Sequence, residues 1–145
     1  MTDFPVKLTP GTAVVTDMAQ RIMVVDDDPA IRKLVELRFQ LDDFDTFSTG
    51  VPEEAVRLAA SERPDAMVLD VMMPGMDGFE VCRRVRTGGG DDQPVVVMLS
   101  ARDERESMDT GLAAGAGDYL LKPADLDELV DRVSARLRQR ASGSA

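Results

Sequence analysis

Histidine and tryptophan are absent from the 145 residues, and cysteine and tyrosine occur once each. Without histidine, the chain can form neither an imidazole metal site nor a histidine-based catalytic triad, and it has no imidazole general base. A single cysteine cannot form an internal disulfide. Because Cys82 lies at helical spacing from Phe79 and Val85, we expect it to be a core residue on the apolar side of a helix.

Basic residues are also scarce, with 17 Lys and Arg against 27 Asp and Glu and a formal net charge of −10. Sequence-independent binding to nucleic acid depends on clustered Lys and Arg, so we expect no direct nucleic-acid binding. Apolar runs such as Val95–Leu99 are far too short to span a membrane, and residues 1–20 lack the pattern of a secretory signal. These absences favour a cytoplasmic protein without a membrane partner.

The chain length corresponds to one compact domain. Residues 1–20 contain prolines and scattered polar residues without a sustained period, which predicts a flexible N-terminal extension, and Met18 is an alternative start. The folded domain is expected to span residues 21–140. Residues 141–145 are expected to form a short disordered tail.

Five short apolar runs predict five β-strands, with helical patterns between them and after the last one. This alternation predicts a parallel sheet covered by helices on both faces. The glycine-rich segment Thr87–Gln93 is expected to be an exposed connection rather than part of a helix. The predicted strands are Ile22–Val25, Phe44–Phe47, Ala66–Leu69, Val95–Leu99 and Tyr119–Leu121.

Start signals mark the first and last helices. Asp28 before Pro29 is typical of a helix start, and Asp125 is a predicted N-cap of the last helix. The last helix also carries three arginines spaced four residues apart. Such a stripe is either a surface for an acidic partner or, more commonly, a solvated helix face. Its members are Arg132, Arg136 and Arg140.

Polar residues follow four of the predicted strands at their carboxyl ends. In a parallel sheet these ends share one edge, and ligands bind there. Each residue alone is more commonly structural, for example a helix cap or a solvated charge, but their joint placement favours a site. They are Asp26 and Asp27 after the first strand, Asp70 after the third, Ser100 after the fourth and Lys122 after the fifth.

Three carboxylates at one edge repel one another unless a cation joins them. Oxygen ligands without histidine or an available cysteine favour a hard ion, and a site with few protein ligands suits Mg²⁺ better than Ca²⁺. Lys122 adds a compact positive charge and Ser100 a hydroxyl donor. Together these groups could bind three oxygens of a phosphoryl group.

Four segments, in order and at family spacing, resemble the receiver domains of bacterial two-component response regulators. The resemblance extends from about Ile22 to the end of the last helix. It implies a flavodoxin-like α/β fold, a (βα)5 three-layer sandwich whose parallel sheet has the strand order 2-1-3-4-5. The segments are Val24–Pro29, Val68–Phe79, Met98–Arg102 and Tyr119–Pro123.

The resemblance implies a phosphorylation site with bound Mg²⁺. Asp70 matches the phosphoacceptor, and Asp26 and Asp27 match the acidic pair that organises the metal ion. Met72 matches the residue that contributes its backbone carbonyl to the metal. The side chains of Met72 and Arg102 flank the site and are expected to tune the lifetime of the acyl phosphate.

The resemblance also implies a switch. Lys122 matches the lysine that bonds the phosphoryl oxygens, Ser100 the switch hydroxyl, and Tyr119 the aromatic residue that follows the switch. Output is then expected on the fourth helix, the fifth strand and the fifth helix, toward a downstream protein or an output domain outside this sequence. Dimerisation on phosphorylation is left open, since Gly117 replaces a common acidic residue.

The implied phosphodonor is the phosphohistidine of a sensor histidine kinase or histidine phosphotransfer protein. The chain is therefore expected to be an acceptor and not an enzyme, apart from self-catalysed phosphotransfer and slow autodephosphorylation. One alternative is a small haloacid-dehalogenase-like phosphatase, because Asp26-x-Asp28 resembles its acidic pair, although Pro29-Ala30 departs from that motif. The other alternative is a degenerate receiver that only binds proteins.

Overall fold

A computed structural model describes residues 19–88, 93–101, 105–122 and 125–143. The strands are β1 (Arg21–Val25), β2 (Asp45–Thr49), β3 (Ala66–Asp70), β4 (Val95–Ser100) and β5 (Asp118–Leu121). The helices are α1 (Pro29–Leu41), α2 (Pro52–Glu62), α3 (Gly78–Gly88), α4 (Arg105–Ala113) and α5 (Leu126–Gly143). Every strand overlaps its predicted run, with ends that differ by at most two residues.

The five strands form one parallel sheet in the order β2-β1-β3-β4-β5. Successive residues of a strand point to opposite faces, so each central strand contributes to two core layers. Met23 and Val25 of β1 lie in the layer that packs on α2 and α3, while Ile22 and Val24 lie in the layer beneath α1 and α5. The predicted flavodoxin-like three-layer fold and strand order are confirmed.

The predicted helix starts are confirmed by their capping hydrogen bonds. Asp28 accepts hydrogen bonds from the backbone N–H groups of Ala30 and Ile31 at the start of α1. Asp125 accepts them from the N–H groups of Asp127 and Glu128 at the start of α5. Both carboxylates satisfy backbone donors that have no partner within the first helical turn.

Cys82 is a buried core residue, as predicted. Its Sγ lies 3.3 Å from the backbone carbonyl oxygen of Ala114. Burial raises the pKa of the Cys82 thiol, against the weaker opposing charges of Arg86 and Arg83. A neutral thiol in this position is a packing residue.

Two helix ends differ from the sequence predictions. Helix α3 continues through Thr87 to Gly88, so the predicted connection begins later than Thr87, and Gly89–Asp92 lie outside the described residues. Arg86 stabilises this last turn, because its guanidinium donates to the carbonyl oxygens of Gly115 and Pro94. Helix α5 continues to Gly143, so the predicted tail is helical over residues 141–143.

The arginine stripe of α5 binds the chain's own carboxylates. Arg132 and Arg136 both pair with Asp118 of β5, at 3.0 Å and 2.8 Å. Arg140 donates to the Asp65 carboxylate at 2.9 Å and to the carbonyl oxygens of Asp65 and Gln93. The stripe therefore pairs with the chain's own Asp118 and Asp65, an arrangement that neither alternative, an acidic-partner surface or a solvated helix face, anticipated.

Within the described residues, no helix is both long enough and apolar enough to cross a membrane. Of the predicted N-terminal extension, residues 1–18 lie outside the description, so its flexibility stays a prediction.

Candidate functional site

The carboxyl edge of the sheet brings three carboxylates together. Asp26 and Asp27 follow β1, Asp70 ends β3, and one carboxylate oxygen from each lies within 4.8 Å of the other two. Asp26 and Asp70 are only 2% and 4% exposed, whereas Asp27 is exposed to solvent. The three residues therefore cluster as predicted, and the cluster is open to solvent on the side of Asp27.

Lys122 lies between two of these carboxylates. Its Nζ is 2.9 Å from Asp26 Oδ2 and 3.2 Å from Asp70 Oδ1. Burial favours a lower pKa for the Lys122 ammonium, but the hydrogen bonds and charges of Asp26 and Asp70 outweigh it and raise that pKa. Lys122 is positioned by the backbone, because its N–H donates to the carbonyl oxygen of Ser100 at 2.8 Å.

The pKa of Asp70 is raised, first by burial and then by the negative charge of Asp26. The Lys122 ammonium and the backbone N–H of Met72, which lies 3.3 Å from Asp70 Oδ1, act in the opposite direction. A bound divalent cation would favour the ionised carboxylate further. The ionisation of the Asp70 carboxyl group therefore depends on the cations beside it.

Asp26 is hydrogen-bonded at every polar atom. Its Oδ1 accepts from the N–H of Asp28 at 2.9 Å, and its Oδ2 accepts from Lys122. Its N–H donates to the carbonyl oxygen of Thr49, and its own carbonyl oxygen accepts from Arg32 Nη1 at 2.8 Å. This network fixes the buried carboxylate, and Arg32 is a member that the sequence analysis did not select.

Like Arg32, Gly78 was not singled out by the sequence analysis, where it lies only within the matched segment Val68–Phe79. A Cβ at this position would collide with the carbonyl oxygen of Asp70 and would lie 2.8 Å from the Cα of Val71. The N–H of Gly78 donates to the carbonyl oxygen of Val71 at 2.9 Å. The start of α3 thus packs directly against the backbone that carries Asp70, which only glycine permits.

The remaining predicted site residues have different surroundings. Ser100 is fully buried at the end of β4, and Tyr119 of β5 is buried with its ring close to Gly111 of α4. The Met72 side chain is half exposed and lines a cavity of about 300 Å³ together with Val71, Met73 and Asp77. Arg102 lies outside the described residues.

The donor set fits a hard divalent cation. Asp26, Asp27 and Asp70 offer carboxylate oxygens from one side, and Asp27 faces the solvent from which an ion would arrive. Carboxylate and carbonyl oxygens with room for water are the ligands that Mg²⁺ takes in proteins. The site is compatible with Mg²⁺ and with an aspartyl phosphate.

Comparison with known proteins gives a consistent result. Residues 22–134 match the family model described as the response regulator receiver domain. The response regulator MprA of Mycobacterium tuberculosis is 48% identical over 122 residues, which are 84% of this chain and 52% of that protein. MprA of Mycobacterium avium is also 48% identical, over 119 residues, covering 82% of this chain and 51% of that protein. The chain thus spans about half the length of the curated relatives it matches.

Solved structures match over most of the chain. The receiver domain of the Francisella response regulator 1452 aligns with a TM-score of 0.77 at 32% identity, covering 83% of this chain and 98% of that one. The BeF3-activated N-terminal receiver domain of Klebsiella pneumoniae RstA aligns with a TM-score of 0.76 at 32% identity, covering 83% of this chain and 100% of that one. Each of these receiver domains is thus matched over nearly its whole length.

Proposed function

Because this chain belongs to the response regulator receiver domain family of two-component signalling, we propose that Asp70 is its phosphoacceptor. The observation that carries the proposal is the geometry of one site: three carboxylates with oxygens within 4.8 Å, and Lys122 between Asp26 and Asp70. The proposed donor is the phosphohistidine of a sensor histidine kinase or histidine phosphotransfer protein. The chain itself has no histidine to supply one.

The transfer is an in-line displacement at phosphorus. A bond forms between an Asp70 carboxylate oxygen and phosphorus, and the bond from phosphorus to the donor's histidine nitrogen breaks. That nitrogen leaves with the electron pair and takes up a proton. Asp70 must be ionised to attack, so the groups that oppose its raised pKa prepare it for the reaction.

The metal ligands proposed are Asp26, Asp27, Asp70 and the backbone carbonyl of Met72. Mg²⁺ bound there would supply positive charge against the phosphoryl oxygens. The Asp26 carboxylate is already oriented by the N–H of Asp28, so it needs little rearrangement to serve as a ligand. Asp27 is exposed and completes the open side of the site.

Lys122 is proposed to move from its two carboxylates to a phosphoryl oxygen. Its side chain is partly exposed and flexible, so its ammonium can follow the negative charge as that charge moves onto the phosphoryl group. Ser100 is proposed to donate its hydroxyl to a second oxygen, and Tyr119 to follow Ser100. The proposed output surface is formed by α4, β5 and α5, and Tyr119 lies on β5.

The family is a group of acceptors and not of conventional enzymes. Slow self-catalysed hydrolysis of the acyl phosphate is our proposal, with Met72 and Arg102 as the residues that tune it. We also propose a cytoplasmic location, no direct nucleic-acid binding by this domain, and phosphorylation-dependent homodimers. We likewise propose a downstream partner protein or an output domain outside this sequence, since the chain spans about half of its relatives' length.

The test is labelling of the purified chain with a small-molecule phosphodonor and Mg²⁺, read by intact-mass spectrometry. We expect the mass of one phosphoryl group on the wild type and none on Asp70→Asn. Reductive trapping of the acyl phosphate, followed by peptide mapping, locates the labelled residue. Label on Asp26 would favour the phosphatase chemistry, and absence of both label and Mg²⁺ binding would favour a degenerate receiver.

A further inference from the structure

Arg32 lies beside the acidic site on the first turns of α1. This helix begins directly after the Asp26-Asp27-Asp28 segment, so the Arg32 side chain can reach back to the end of β1. Its Nη1 donates to the backbone carbonyl oxygen of Asp26 at 2.8 Å, and the bond is partly buried. That carbonyl belongs to the peptide group that joins Asp26 to Asp27.

Gly50 provides the space for this contact. It follows β2, whose last residue Thr49 pairs with Val25 at the end of β1. A Cβ at Gly50 would collide with Arg32 Nη1 and would lie 3.3 Å from the Asp26 carbonyl oxygen. The absent side chain therefore leaves a slot in which the guanidinium contacts that carbonyl.

The contact differs from the other hydrogen bonds of Asp26. Lys122 binds the Asp26 carboxylate itself, so this bond changes when another cation arrives. Arg32 instead binds the peptide oxygen and leaves both carboxylates available. The orientation of one peptide plane determines where the Asp26 and Asp27 side chains start, because their Cα atoms lie at its two ends.

We propose that Arg32, seated in the slot left by Gly50, is a positioning residue for the divalent cation: it holds the peptide plane between Asp26 and Asp27. The inference rests on the proposed function, since it assigns those two carboxylates to Mg²⁺. Groups that orient metal ligands without touching the metal commonly change affinity by about 10–100-fold when removed. If Arg32 acted only through its charge, its removal would strengthen Mg²⁺ binding, because a positive charge repels the cation.

The experiment is calorimetric titration of Mg²⁺ into the metal-stripped full chain. Arg32→Ala is expected to weaken Mg²⁺ binding by about tenfold or more, and Arg32→Lys by less, since one donor remains. Gly50→Ala keeps the arginine but fills its slot, so it is expected to weaken binding in the same direction. The variant that carries both substitutions is expected to bind Mg²⁺ no more weakly than Arg32→Ala, because both substitutions remove the same contact between Arg32 and the Asp26 carbonyl oxygen.

Lys33→Ala is the matched control, since Lys33 is an exposed cation on the same helix. It is expected to bind Mg²⁺ as the wild type does or slightly more tightly. Unchanged or tighter binding by Arg32→Ala would overturn the inference, and so would additive losses in the combined variant. If Arg32→Ala does not fold, Gly50→Ala decides by itself. A wild type that binds no Mg²⁺ would overturn the proposed function as well.

Discussion

Lys122 and Asp70 form an ion pair across the carboxyl edge of the sheet, with Nζ 3.2 Å from Oδ1, and the same ammonium lies 2.9 Å from Asp26. Lys122 thus places one positive charge between two buried carboxylates. In the proposed reaction, binding of Mg²⁺ or transfer of a phosphoryl group would change what Lys122 contacts. The stability of the site and the proposed chemistry would then be coupled through this residue.

Lys122→Ala is expected to lower the free energy of unfolding of the metal-free protein by about 1–3 kcal/mol, because it leaves two buried carboxylates without their hydrogen-bonded cation. Added Mg²⁺ should recover most of this loss, since Lys122 is not a proposed ligand. Urea unfolding in EDTA and in saturating Mg²⁺ measures both effects, with Lys33→Ala as the control. A variant as stable as the wild type in EDTA would contradict the assignment.

Asp70→Asn is expected to stabilise the metal-free protein at neutral pH, because it removes a buried negative charge beside Asp26 while Lys122 stays paired with Asp26. In the folded protein the pKa of Asp70 is raised above its usual value of about 3.9. The protonated Asp70 side chain therefore makes its full contribution to stability below that pH. That contribution is lost as pH rises through the folded-state pKa. Urea unfolding in EDTA at a series of pH values should show the advantage of the variant shrinking toward pH ~4. An advantage independent of pH would contradict this explanation; Asp131→Asn on the exposed side of α5 is the control.

Asp27→Ala should remove Mg²⁺-dependent stabilisation while costing little stability in EDTA, because Asp27 is exposed. In the wild type, Mg²⁺ at 100 times its dissociation constant should add about 2.7 kcal/mol to the free energy of unfolding. Thermal unfolding with and without Mg²⁺ compares the two proteins. Asp131→Ala should keep the full Mg²⁺ effect. If Asp27→Ala keeps it too, Asp27 is not a ligand.

Gly78→Ala is expected to destabilise the protein by about 1–3 kcal/mol or more, because the new Cβ meets the backbone of Asp70 and Val71 rather than a flexible side chain. Gly88→Ala in the same helix is the matched control. Among the described residues, a Cβ at Gly88 would meet no heavy atom within 4 Å. We expect that variant to be neutral or slightly more stable. Equal effects of the two substitutions on urea unfolding would show that the contact at Gly78 does not matter.

The central strands could be predicted from the sequence because they are buried on both faces and form continuous apolar runs. β2 was predicted one to two residues too early. It is an edge strand, Asp45–Thr49, and most of its residues are partly exposed whether they are polar or apolar. An apolar run therefore does not mark its ends. The end of α3 was also missed, because Arg86 stabilises it through carbonyls elsewhere in the chain.

By itself the sequence determined the strand and helix alternation, the caps at Asp28 and Asp125, and the clustering of Asp26, Asp27 and Asp70. These follow from local periodicity and from the rule that parallel strands end at one edge. Only the tertiary structure showed that the α5 arginines bind Asp118 and Asp65, that Gly78 packs on Asp70, and that Arg32 enters the slot at Gly50. Each of these contacts joins residues that do not share a helix or strand, and their distances depend on packing that no local pattern encodes.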